Sequence, residues 1–146
     1  MTSLSSQLLD PATRPQVVDA LVRLADTEVA AKKGVSGAVL KTAYGAAKKV
    51  GDGQVRRAVN ALLPGVATTL DPHHAAAGGT PFGVYLAEPA RSGQVADQLL
   101  AVADAKAAAV EGNPLGRVYS SVRGRAKEHV VAALPGLGTT VERFVR

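Results

Sequence analysis

The sequence predicts an all-α protein: a tandem duplication of a three-helix unit, packed as one pseudo-twofold helical domain. Three observations predict it. Hydrophobic residues fill 47% of the 146 positions, but aromatics only 3%, so the core must be built from Ala, Val and Leu. That inventory suits close-packed helices better than sheets, which favour aromatic and β-branched side chains. Apolar residues recur at helical spacing. Finally, one phrase is written twice, ALLPGVATT at 61–69 and ALPGLGTT at 133–140.

The repetition extends well beyond that phrase. QVVDALVRLAD (Gln16 to Asp26) returns as QVADQLLAVAD (Gln94 to Asp104), which sets Asp19 and Asp26 on Asp97 and Asp104. Upstream, LLDPA from Leu8 matches LAEPA from Leu86. Downstream, LKTAYGAAKK from Leu40 lies over LGRVYSSVRG from Leu115, with Tyr44 on Tyr119. The register shifts fall at Gly- or Pro-containing joints, where loops absorb length changes that helices do not. The copies are residues 4–72 and 82–146 of a single domain, 1–146, joined by a turn-rich linker at 72–81, PHHAAAGGTP.

Each element has its signals. Asp10-Pro11 precedes the first helix, and Pro15 in the first turn places its start at Thr13 or Arg14. Val17, Val18, Leu21, Val22, Leu24, Ala25 and Val29 form its apolar arc, and Lys32-Lys33-Gly34 ends it. Ser36 can cap the second helix, whose stripe is Val39, Leu40, Ala43, Tyr44 and Ala47; Gly51-Asp52-Gly53 is a loop. The third helix carries Val55, Val59, Leu62 or Leu63, Val66 and Leu70, mirrored by Ala126, Val130, Ala133 or Leu134, Leu137 and Val141. Its apolar phase is the same on both sides of the proline. Leu-Pro-Gly should therefore kink or interrupt a buried helix without reversing it. The Thr pair that follows can bond to backbone groups near the break. Two bent helices wrapping each other across the pseudo-twofold axis are the expected centre of the fold.

Several segments together resemble a small uncharacterised family of actinobacterial proteins. They are LLDP near the start, DTEVAAKKGVSG from Asp26, KTAYGAAKKV from Lys41, ALLP at 61–64 and VAALPGL from Val131. The resemblance covers most of the chain. It implies a bacterial, cytoplasmic protein and brings no activity and no site residues.

Function is bounded more by exclusion than by motif. There is no cysteine, which removes disulfides, thiol catalysis and thiolate-bound metal. MTSLSSQLLDPATRP has no basic leader followed by an apolar run, so no signal peptide is expected. The apolar stretch from Val130 to Val141 falls short of the roughly 20 residues that span a bilayer. Cytoplasmic localisation and no membrane association follow as expectations. Adjacent His73 and His74 after Asp71-Pro72 point apart on a solvated linker, so neither metal nor cofactor is expected. Leu40-Lys41-Thr42 lacks the glycine of a phosphate loop, and Gly136-Leu137-Gly138 lacks the third glycine of a dinucleotide fingerprint.

The recurring Asp residues read as a rim of salt bridges, Asp26 to Lys48 and Asp104 to Arg123, rather than as acid–base pairs. Tyr44 and Tyr119 read as core tyrosines that find hydrogen-bond partners. The net charge is +5. Lys41, Lys48, Lys49, Arg56 and Arg57, with Arg117, Arg123, Arg125 and Lys127, would form two symmetry-related basic patches. Those patches could contact phosphates, although side chains suited to base stacking are nearly absent. A solvated face weighs more than a nucleic-acid surface. With no catalytic constellation, the reading leans away from an enzyme. The first expectation is a non-enzymatic helical binding or scaffolding protein with a protein partner. The alternative is a weakly sequence-specific nucleic-acid binder using the two patches. A small-ligand carrier or enzyme with a site between the repeats comes third.

Overall fold

The computed structural model describes residues 3–32, 34–49, 53–109 and 114–145. Among them there is no strand, and the protein is all-α. The order is α1 (Leu4–Leu8), α2 (Arg14–Ala31), α3 (Gly34–Lys49), α4 (Gln54–Ala77), α5 (Phe82–Ala87), α6 (Pro89–Ala109), α7 (Pro114–Val122), a 3₁₀ turn (Arg123–Arg125) and α8 (Ala126–Glu142). Lys33, Gly51, Asp52 and Gly112 lie outside the described residues, as do the side chains of Ser36 and Ala47.

The α2 helix begins at Arg14 with Pro15 in its first turn, as the sequence predicts. Asp10 instead closes a turn upstream, its Oδ1 accepting from the Ala12 amide at 2.9 Å. The α3 helix opens at Gly34, two residues before the expected cap at Ser36. Gly34 and Gly53 take positive φ, 78° and 82°, where a side chain would be strained.

Two elements were not predicted, α1 and α5. Each buries an i,i+4 apolar pair, Leu4 with Leu8 and Phe82 with Leu86. Each also has its N-terminus tied to a carboxylate near the end of its half's long helix. The Ser5 amide donates to Asp71 Oδ1 at 2.7 Å, and the Ser5 hydroxyl also donates to Asp71. The Phe82 amide donates to Glu142 Oε2 at 3.1 Å. Four α-helices, α1 to α4, thus precede the turn at Gly78 and four, α5 to α8, follow it, where the sequence predicts three on each side.

The long helices pass through their prolines unreversed. Leu63 and Leu134, just before Pro64 and Pro135, are fully buried, as are Ala67, Leu70 and Val141. Thr68 Oγ1 bonds back to the Pro64 carbonyl at 2.9 Å. Beyond this the structure corrects two expectations. First, α4 does not stop at Pro72. It continues through His73 and His74 to a buried Ala77, so turn-rich chain begins only at Gly78. Pro72 is on the exposed side of the helix, where water can hydrate the carbonyl it leaves unpaired.

Second, α4 and α8 do not wrap each other. They share little contact, and α2 and α6 each pack against both of them. The glycines that follow the prolines make this possible. A Cβ on Gly65 would lie 2.6 Å from Val102 Cγ1 of α6, and one on Gly136 would lie 2.7 Å from Leu24 Cδ1 of α2. Each half's long helix therefore receives a branched side chain from the other half. In the repeat alignment Gly65 matches Gly136 and Leu24 matches Val102, so the two contacts are reciprocal.

The main core is drawn from α1, α2, α4, α5, α6 and α8. Its buried residues are Leu, Val and Ala with one large aromatic, Phe82. The stripe predicted for α3 does not enter it. Ala43 is buried, but Val39 is 49% exposed. α3 packs chiefly against α7, forming a helical pair outside the main core.

Candidate functional site

The two recurring Tyr–Asp pairs form matching clusters. In the first half Tyr44 Oη donates to Asp26 Oδ1 at 2.7 Å, and Lys48 Nζ lies 2.7 Å from the same oxygen. In the second, Tyr119 Oη donates to Asp104 Oδ1 at 2.6 Å, while Arg123 binds both carboxylate oxygens through Nε at 2.8 Å and Nη2 at 3.1 Å. Each cluster ties the C-terminal part of α2 or α6 to the next helix. Both ion pairs are the ones the sequence predicts, and each tyrosine has its partner.

These groups are committed to one another. Hydrogen bonding from Lys48, then from Tyr44, holds Asp26 below the usual carboxylate range; Arg123, then Tyr119, does the same for Asp104. Burial, reinforced by the Asp104 bond, pushes Tyr119 up to about 12, and burial followed by the Asp26 bond raises Tyr44 further. A tyrosine whose phenol is held neutral and a carboxylate held ionised are poor proton shuttles at neutral pH.

The clusters make a stability prediction. Tyr119→Phe should cost about 1 kcal/mol at pH 7, the worth of one partly exposed hydrogen bond. The neutral phenol stabilises the fold fully below its unfolded pKa of 10.0, and that contribution fades as pH rises toward about 12. The ionised Asp104 contributes above 3.8 and is lost as pH falls through its depressed value. The gap between wild type and variant should therefore be widest near neutrality and close at both extremes. Urea unfolding across pH measures it.

The other two recurring acids pair with the start of the long helices. Asp19 pairs with Arg56, and Asp97 Oδ2 accepts from Lys127 Nζ at 3.0 Å. Four of the nine cations singled out from sequence are therefore internally paired: Lys48, Arg56, Arg123 and Lys127. Lys41, Lys49, Arg57, Arg117 and Arg125 are exposed and make no ion pair among the described residues. Half-exposed pairs of this kind add little stability each.

The His73-His74 segment is not a solvated linker. His73 Nε2 hydrogen-bonds Gln98 Oε1 at 2.7 Å, and His74 meets Phe82 edge-on with ring centroids 5.1 Å apart. Both rings brace α4 against neighbouring helices. Among the described residues no group of three His, Asp or Glu side chains is placed to hold a metal ion.

Three surface depressions bring polar and apolar groups together. A cleft of about 510 Å³ lies between the N-terminal ends of α2 and α4, lined by Pro11, Arg14, Pro15, Val18, Gly53, Arg56, Arg57 and Asn60. A groove of about 560 Å³ on the α3–α7 pair is lined by Ala38, Val39, Thr42, Ala43, Ala46, Arg117 and Ser121. A third, of about 900 Å³, runs beside the Tyr119–Asp104–Arg123 cluster. Arg14 was missed in the sequence. Its Nε donates to Asn60 Oδ1 at 2.8 Å and its Nη2 to the Asn60 carbonyl at 2.9 Å.

No helix among the described residues is long and apolar enough to cross a membrane. No curated protein and no solved structure matches the chain. A family model described as a family of unknown function (DUF6918) matches residues 4–145.

Proposed function

The chain belongs to that family of unknown function, and from its structure we propose that it is a non-enzymatic binding or scaffolding protein. The observation that carries this reading is the α3–α7 pair. It stands outside the main core and presents a groove of small residues with the half-exposed Val39 at its lining. Small side chains allow a partner helix to approach closely, and one branched side chain provides an anchor. Arg117 lines the same groove without an internal carboxylate among the described residues, and Lys41 and Lys49 on α3 are likewise unpaired. The occupant that fits is an acidic amphipathic helix of a partner protein.

The test is affinity capture from the native host with wild type, Val39→Glu and Arg117→Glu side by side. A partner carrying an acidic helix should be retained by wild type and lost with either variant, while thermal stability changes little. Retention that ignores both substitutions overturns the reading. The exposed cations Lys41, Lys49, Arg57, Arg117 and Arg125 favour a second reading, weakly specific nucleic-acid binding. It calls for DNA retention that falls steeply with salt.

The tandem duplication belongs to the same proposal. Its support is the matching Tyr–Asp clusters, the carboxylates tying α1 and α5, and the reciprocal glycine contacts, which are what a pseudo-twofold axis generates. So does the actinobacterial, cytoplasmic setting that the resemblance implies.

A further inference from the structure

Proline 64 has a consequence on the surface as well as in the core. An α-helical carbonyl accepts from the amide four residues later. Proline has no amide hydrogen, so the Asn60 carbonyl loses its helical donor. Arg14 fills the vacancy with Nη2 at 2.9 Å, while its Nε takes Asn60 Oδ1 at 2.8 Å. Two bonds to one residue fix the guanidinium plane. They use the side edge of the fork and leave its end edge, Nη1 and the second hydrogen of Nη2, for another acceptor.

Both acceptors on Asn60 are neutral, and among the described residues Arg14 makes no ion pair. The same cleft holds Arg57, which has no ion pair among the described residues. It also holds Arg56, fixed by Asp19 and by the Pro15 carbonyl at 3.4 Å. No carboxylate lines the cleft among the described residues. Gly53 at its edge immediately precedes α4, whose N-terminal dipole adds positive potential. An arginine oriented by neutral groups beside a second free arginine is arranged to receive a dianion.

The second half has no equivalent. In the repeat alignment Ser92, Lys127, Glu128 and Val131 replace Arg14, Arg56, Arg57 and Asn60. The cleft is thus not one of a symmetric pair. Its volume of about 510 Å³ suits a small metabolite. Its remaining wall is Pro11, Pro15 and Val18, with no aromatic ring among the described residues for a base to stack on.

We propose that this cleft binds the phosphoryl group of a small phosphomonoester with a saturated, sugar-like body. Arg14 and Arg57 hold the phosphate oxygens, and the saturated body lies along the proline wall. Pro64 and Asn60 are positioning residues that act through Arg14. This site is on the opposite kind of surface from the apolar α3–α7 groove, and it stands or falls independently of the partner reading.

The experiment titrates glucose 6-phosphate, with glucose, inorganic phosphate and a single-stranded oligodeoxynucleotide in parallel, and follows backbone amide shifts. Glucose 6-phosphate should perturb the Gly53–Arg57 amides and bind more tightly than inorganic phosphate, and glucose should not bind. Arg14→Gln and Arg57→Gln should each weaken binding about tenfold, the loss of a charged hydrogen bond. Pro64→Ala is the distinctive variant. It changes no charge, but its new amide reclaims the Asn60 carbonyl and releases Arg14, so affinity should fall several-fold. Pro135→Ala and Arg125→Gln should leave binding unchanged. Asn60→Ala, at an exposed position, should reproduce the Pro64→Ala effect should that variant fail to fold. Wild-type affinity in both Pro64→Ala and Asn60→Ala overturns the positioning role. Equal losses in Arg125→Gln and Arg57→Gln, or tighter binding of the oligonucleotide than of glucose 6-phosphate, overturn the site.

Discussion

Gly138→Ala should lower stability by about 3 kcal/mol, the upper end for forced overpacking, because the methyl meets backbone rather than a movable side chain. Its Cβ would sit 2.5 Å from both the Cα and the nitrogen of Gly83, and 2.7 Å from the carbonyl carbon of Phe82. The contact is tight from the other side too. A Cβ on Gly83 would lie 2.5 Å from the Pro135 carbonyl oxygen and 2.8 Å from Thr139 Oγ1. Neither helix can yield by a rotamer change; α5 and α8 must separate, which loosens Phe82 and Leu86. For a chain of this size the melting temperature should fall by roughly 10 °C. The first half provides the control. Its aligned residue is Ala67, fully buried, so α4 already accommodates a methyl at this place beside α1. Ala67→Gly should cost far less than Gly138→Ala in the same urea titration. Equal effects would mean that α5 and α8 do not meet glycine to glycine.

Phe82→Ala should cost about 3–5 kcal/mol, as fully buried phenylalanines do. Phe82 heads the largest completely buried side chains and is the only aromatic among them. It packs with Leu86 in the core and receives the His74 ring edge-on. Truncation opens a cavity at the place where α4, α5 and α8 converge, and strands His74 against it. Total stabilities of about 5–15 kcal/mol are ordinary, so the variant should be near the limit of folding. Phe82→Leu should be much milder, because it copies Leu4, the aligned and equally buried residue of the first half. Guanidinium unfolding of the two variants separates a packing defect from loss of the amide bond to Glu142, which both retain. A neutral Phe82→Ala would contradict the core as described.

The sequence was most informative where several physical constraints fell on the same residues. The start of α2 was marked by Pro15, and the course of the long helices by an apolar phase that Pro64 and Pro135 do not disturb. The pairs Asp26–Lys48 and Asp104–Arg123 were legible because both acids recur on one helix edge and both cations recur on the next helix. Other features were hidden for identifiable reasons. α1 and α5 span five and six residues, too little for any periodicity to emerge from background. Local propensity argued for a loop from Pro72 onward, and tertiary packing of His73, His74 and Ala77 overrode it. Val39 fits a helical stripe, but the stripe faces a second layer and not the core. Arg14 carried no signal of its own. Its role arises from a carbonyl that Pro64, fifty residues later, deprives of its partner.

The reciprocal seating of Val102 on Gly65 and Leu24 on Gly136 also constrains the order of events during synthesis. When α4 leaves the ribosome, its glycine notch has no occupant, because residue 102 has not yet been made. The nascent first half can form its helices and close α1 over α4, but one flank of α4 remains wet until α6 arrives. Leu24 waits longer still, for Gly136 of α8. Neither set of contacts can be finished while the other set of helices is missing, so the last packing step joins residues about 37 and 112 apart in the chain and must wait until α8 has been made.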